Sequence, residues 1–115
     1  MAKNNKEKKL EIFWTHWAKF DVQEILDYIS EENPHYALKF LEKIDTTVNG
    51  LHIFPNKGRK VPEVETTHLE NYREIIINPW RLFYKREENR IYIIGIIDGR
   101  RNIEDILIKR LMKKE

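Results

Sequence analysis

Eight arginines, at positions 59, 73, 81, 86, 90, 100, 101 and 110, all lie in the second half of this 115-residue chain, and none lies in the first. Arginine presents a planar fork of donors that meets a carboxylate or a phosphate with two bonds at once. So one-sided a distribution points to anion recognition in the second half. The sharpest candidates are Arg59-Lys60, Arg73, Arg81 and the pair Arg100-Arg101. Trp80, Phe83 and Tyr84 are interleaved with them. Such rings can stack nucleic-acid bases, although core packing is the commoner use of aromatics on a strand. The net charge of +2 is the sum of three unlike regions: residues 1–9 carry +3, residues 10–58 carry −4, and residues 59–115 carry +3.

Other chemistries find little support. There is no cysteine, so neither a disulfide framework nor a thiolate metal site is available, which fits a cytoplasmic protein. His16, His35, His52 and His68 stand on separate segments without ligand spacing, and Ser30 is the single serine. Gly58, Gly95 and Gly99 form no phosphate-binding loop. No metal and no cofactor are expected. The opening MAKNNKEKK leads into no apolar segment suited to secretion, and the run Ile91 to Ile97 is too short to cross a bilayer as a helix. No membrane association is expected. Residues 1–9 read as a flexible basic tail and residues 10–115 as one domain.

The elements that must position the arginines follow from periodicity. Leu10, Ile12 and Trp14 alternate as in a short strand, and Thr15 can cap a helix with its stripe at Ala18, Val22, Ile25, Leu26 and Ile29. Asn33-Pro34 starts a second helix that should bury Ala37, Phe40, Leu41, Ile44, Val48 and Leu51. So short a join predicts an antiparallel helical hairpin. Trp14, Trp17, Tyr28, Tyr36 and Phe40 are expected to pack within it and against a sheet. From Pro55 to Glu70 periodicity vanishes, a long connection of the kind that is often functional. Three close-set segments, NYREIII, WRLFYKRE and RIYIIGII, then predict an antiparallel β-meander with turns at Asn78-Pro79 and Glu88-Asn89. Asn102, followed by Asp105, should cap a last helix offering Ile103, Ile106, Leu107 and Leu111. The fold class is α+β: an N-terminal strand, an antiparallel helical hairpin, a three-stranded antiparallel meander and a C-terminal helix.

This topology places Arg81 at the same sheet end as residues 98–101, with Ile76 and Ile96 as its expected strand partners. Asp98 is close enough in sequence to neutralise one arginine there. A structural clamp to a carboxylate and a ligand-facing role both remain open for these residues.

The succession WTHWAKFDVQEILDYISEENPHYALKFLEKI, FPNKGRKVPE and YREIIINPWRLFYKREENRIYIIGIIDGRRNIEDIL resembles the RelE/ParE superfamily of toxins from type II toxin–antitoxin systems, over nearly the whole chain. That resemblance implies one of two activities: inhibition of DNA gyrase, as in the ParE-like branch, or metal-independent cleavage of messenger RNA on the ribosome, as in the RelE-like branch. For the ribonuclease, Arg73, Arg81 and Arg101 match basic positions of the family, while a second basic strand position falls near Ile75. The family's C-terminal tyrosine or histidine falls near Leu107, and nothing from Asn102 to Glu115 replaces it. Arginine is a poor base near neutrality, so the acid–base pair that phosphodiester cleavage needs is incomplete. The ParE-like branch is therefore the expected one, with Arg59, Lys60, Arg73, Trp80, Arg81, Arg100 and Arg101 as target- or antitoxin-binding residues. The resemblance also implies a cognate antitoxin in a hetero-oligomer. Ile75, Ile77, Leu82 and Ile93 are expected to need that partner's cover.

Overall fold

A computed structural model describes residues 10–64 and 71–112. The basic tail expected at 1–9, His68 with the end of the long connection (65–70), and 113–115 lie outside the described residues. Strand β1 (Glu11–Trp14) leads into helices α1 (His16–Glu32) and α2 (Pro34–Gly50). A two-residue strand, β2 (Arg59–Lys60), and a 3-10 turn (Pro62–Val64) follow. The meander is β3 (Tyr72–Ile77), β4 (Trp80–Glu87) and β5 (Arg90–Asp98), and α3 (Ile103–Met112) comes last.

The helix starts are made by the residues the sequence nominates. Thr15 accepts a hydrogen bond from the Ala18 amide at 3.2 Å and donates its hydroxyl to the Ile93 carbonyl at 2.7 Å, so one side chain caps α1 and ties it to β5. Asn33 alone joins α1 to α2; its side chain accepts from Tyr36 N, with Pro34 in the first turn. Asn102 caps α3 by accepting from Asp105 N.

The five strands form one sheet in the order β1-β5-β4-β3-β2. The expected antiparallel meander is its centre; β1 adds in parallel to β5, and β2 adds antiparallel to β3. The long connection is thus not structureless, because it donates an edge strand and buries Val61 and Val64. Between β4 and β5 the register shifts at Phe83/Tyr84: Phe83 faces Gly95 while Tyr84 faces Ile93. Ile94 is the extra residue of a bulge. Arg81 consequently pairs with Ile97, not with the expected Ile96. Ile91, Ile93 and Ile96 turn to the helical hairpin while Ile94 and Ile97 turn to the other face. That switch explains why β5 is aliphatic throughout.

The hairpin covers one face, where Ala18, Phe40, Ile44 and Val48 meet Leu82, Ile91 and Ile93. α3 and the 3-10 turn cover the other through Ile103, Leu107, Val61 and Val64 on Phe83 and Ile97. The expectation that Ile75, Ile77, Leu82 and Ile93 need a partner is corrected here. Leu82 and Ile93 have no exposed area, Ile77 is buried, and Ile75 packs on the same cluster. Each wholly buried side chain of this size contributes about 1.5–3 kcal/mol, and the chain supplies the cover itself. Leu41, expected inside, is 39% exposed, and Tyr28 and Tyr36 also face outward. Their helical phases lie on the flank of the apolar stripe, and a hairpin against one sheet buries only its centre.

β1 pairs only with Arg90 to Ile93, so the outer edge of β5 is open beyond that point. Two side chains from opposite ends of the sequence close it. Asp21 on α1 accepts from Ile96 N at 2.9 Å, and Arg110 on α3 donates to Ile94 O at 3.1 Å. The two also pair with each other, Arg110 Nη1 and Nη2 meeting the Asp21 carboxylate at 2.7 and 3.0 Å. Gly95 is required between them, since a Cβ there would run into the Arg110 guanidinium and the Asp21 carboxylate.

Removing one member of a buried pair strands the other charge. Arg110→Leu should therefore lower the unfolding free energy by about 3 kcal/mol in urea titrations. Adding Asp21→Asn should recover part of the loss, because the amide oxygen still accepts from Ile96 while the stranded charge is gone. A double variant less stable than Arg110→Leu would refute the sealing role.

Candidate binding site

Strand register divides the candidate arginines between two faces. Arg81 sits opposite Ile76, and successive side chains alternate, so Glu74, Ile76 and Arg81 share the α3 face while Arg73 lies on the hairpin face. The sequence-level grouping of Arg73 with Arg81 is not met in space.

On the α3 face the arginines meet carboxylates. Arg59 lies directly across from Glu74 on β2 and donates Nε to Glu74 Oε2 at 2.5 Å. Arg81 donates Nε to the other oxygen, Glu74 Oε1, at 2.6 Å. Its two remaining nitrogens form a fork on Glu63 of the 3-10 turn, at 2.8 and 2.7 Å. The guanidinium carbon also stands 5.2 Å from the Phe83 ring centre. All three nitrogens of Arg81 are thereby engaged within the chain. Its hydrogen bonds to Glu63 raise the Arg81 pKa further, and the same bonds hold Glu63 below the usual carboxylate value. Gly58 makes room for this arrangement, as a Cβ there would collide with the Glu74 carbonyl and the Tyr84 ring.

At the sheet end beyond β5, Arg100 forks onto Asp98 at 3.0 and 2.7 Å, which lowers the Asp98 pKa to about 2. Asp98 thus neutralises Arg100, one of the two arginines the sequence set side by side there. Arg101 is exposed and makes no side-chain ion pair with the described residues. Trp80 stands edge-on to Phe40 of α2 with ring centres 4.8 Å apart, and Phe83 and Tyr84 are wholly buried. The stacking platform is therefore absent and the rings are core. Tyr84 keeps its hydroxyl satisfied by accepting from Gly58 N and donating to Pro55 O.

At the opposite sheet end, Lys60, Arg73 and Arg86 of the hairpin face, together with Arg90, whose register places it on the α3 face, line a polar cleft of about 1070 Å³. Sequence reasoning missed Arg86 and Arg90. The signal was present in the turn, because a two-residue join at Asn78-Pro79 sets Arg73 against Tyr84 and puts Arg86 two residues further on the same face. Among the described residues no group of three or more histidine, aspartate or glutamate side chains is arranged to hold a metal ion, and no helix is long and apolar enough to cross a membrane.

With the geometry in place, comparison with known proteins is decisive for the family. The model of the ParE toxin of type II toxin–antitoxin systems (parDE) matches residues 12–103. The chain belongs to the ParE toxin family. Among solved structures, it is similar to a chain of the chromosomal ParDE toxin–antitoxin system from P. aeruginosa, with a TM-score of 0.63 and 22% identity, over 78% of this chain and 96% of that one. It is also similar to the YoeB dimer from Staphylococcus aureus, with a TM-score of 0.52 and 20% identity, over 78% and 97%. No curated protein matches at a significant level. At such identities the structural likeness establishes the α+β toxin fold, and the family model supplies the membership.

The Glu63–Arg81 fork should respond to acid. The Glu63 pKa is depressed by Arg81, so its contribution is complete above its ordinary value of 4.5 and is lost as pH falls through the lower folded value. Glu63→Gln should cost about 1 kcal/mol at pH 7, a charged hydrogen-bond contribution reduced by solvent exposure. The gap between variant and parent in urea midpoint should then narrow at pH 3. An equal gap at both pH values would show that the charge is not responsible.

Proposed function

We propose that this ParE-family chain acts as the toxin of a type II toxin–antitoxin module, binding and inhibiting DNA gyrase in the cytoplasm until a cognate antitoxin neutralises it. The observation that carries this reading is the closure of Arg81. A ribonuclease would need this arginine's donors for the charge that develops on phosphorus. Here Glu63 and Glu74 already take all three nitrogens. Helix α3 offers no tyrosine or histidine to move a proton, and Leu107, where the superfamily's acid or base falls, is buried. The residues exposed for contact are cations: Lys60 on the edge strand and Arg101 beyond β5, beside Arg59 and Arg100, which are exposed but each paired with a carboxylate. A surface of this kind suits binding and not bond cleavage. The antitoxin is supported by family membership and by the likeness to the P. aeruginosa ParDE system.

Purified chain should inhibit supercoiling by the host's gyrase, and the antitoxin should reverse the inhibition. The pair Arg100→Glu and Arg101→Glu should weaken inhibition several-fold while leaving the far-UV circular dichroism unchanged, since both side chains are exposed. Full supercoiling at saturating toxin, together with codon-phased cuts in messages after induction, would replace this reading with a ribosome-dependent endoribonuclease.

A further inference from the structure

The connection between α2 and β2 points two large apolar side chains into water. Leu51, just past α2, is wholly buried in the cluster under the hairpin. Beyond His52 the pattern reverses: Ile53 is 72% exposed and Phe54 64%. Apolar surface left in water adds nothing to folding, and a contiguous pair of this size marks a place where something else binds.

The backbone that carries the pair is held at nearly every step. Ile53 N and Phe54 N both donate to Gly50 O, at 3.1 and 3.0 Å, and Lys57 N donates to Phe54 O at 3.1 Å. The buried Tyr84 pins the far side, where its hydroxyl donates to Pro55 O at 2.8 Å and accepts from Gly58 N at 2.9 Å. Arg73 Nη1 adds a bond to Gly58 O at 2.7 Å. A loop fixed in this way has little freedom left to lose on binding. The two bonds to Gly50 O continue helical spacing, which sets Gly50, Ile53 and Phe54 on one side. A Cβ added at Gly50 would meet nothing within 4 Å, so the space beside the pair is open.

We propose that Ile53 and Phe54 form a preorganised anchor that inserts into an apolar pocket on a folded partner. The partner is the gyrase of the proposed function, on which reading this inference rests. The anchor is convex. Two adjacent projecting side chains are complementary to a walled cavity, which a folded surface offers and a lone extended segment or helix does not. A few such anchors carry most of an interface's energy, while the contacts around them exclude water. The rim chemistry follows from the sequence. From Thr46 to Pro62 there is no acid, and Lys57, Arg59 and Lys60 are exposed, so the rim of the receiving pocket is not basic.

The test measures supercoiling by the host's gyrase against increasing purified chain. Ile53→Ser with Phe54→Ser should raise the half-inhibitory concentration at least about tenfold, the loss expected for truncating an interface anchor. The urea midpoint should match the parent's, because both side chains are exposed. Gly50→Gln is the independent variant: it removes no contact, the glycine has no positive φ, and the new side chain fills the open space. It should weaken inhibition several-fold without loss of stability. Phe20→Ser with Tyr28→Ser, exposed apolar residues of α1, should leave inhibition within about twofold. If the parent chain leaves supercoiling untouched, the gyrase reading fails and this inference fails with it. If the parent inhibits and the Ile53/Phe54 and Gly50 variants inhibit equally well, this inference alone fails. Equal weakening by the α1 pair would also overturn it. Undiminished inhibition together with loss of antitoxin retention would overturn it by assigning the pair to the antitoxin.

Discussion

Glu74 is a carboxylate with no exposed side-chain area in the middle of β3, and the chain has to bring positive charge to it from both neighbouring strands. An isolated buried carboxylate would not stay ionised. Arg59 takes one oxygen and Arg81 takes the other, and the second cation is balanced in turn by Glu63. Two acids and two bases close on themselves. This requirement fixes the two-residue strand β2 on the edge of the sheet and holds the 3-10 turn over β4. It also commits each of the three nitrogens of Arg81 to a carboxylate of the chain. A buried ionic network of this type adds little net stability compared with apolar packing, but it penalises any other placement of its members. Its effect is to give the long connection after α2 a defined path.

The bulge at Ile94 has a comparable organising effect on the other side of the sheet. One additional residue lets β5 send Ile93 and Ile96 to the hairpin and Ile94 and Ile97 to α3. Without it, one of the two covers would meet the wrong phase of the strand. The glycine beside the bulge admits Asp21 and Arg110 to backbone groups that β1 is too short to reach.

Elements with strong periodicity were legible from residues alone. The hairpin, the meander and all three asparagine or threonine caps fall where spacing put them. Arg81 was correctly located at the sheet end near Gly99, whose backbone packs against its side chain. Its partners were not legible. Glu63 and Glu74 lie 18 and 7 residues away, and their pairing is set by the register of β2 and by a 3-10 turn with no periodic signature. The bulge was hidden for a similar reason, because a strand that is aliphatic at every position gives no sign of which side chain has slipped. The faces of Arg73 and Arg81 follow from alternation once the turn is known, yet a shared functional label had grouped them.

The seal on β5 ties the ends of the domain's history together. Asp21 is made early and Arg110 is made 89 residues later. During synthesis, β5 can pair with β4 and β1 while the outer hydrogen-bonding groups near Ile94 still lack the arginine. A nascent chain therefore passes through a stage in which most of the sheet exists but part of one edge is uncovered, available to other strands. Only when α3 emerges does that edge become inert. The last helix thus ends the period in which this protein can pair wrongly with its neighbours, a task separate from any contact it makes with a target.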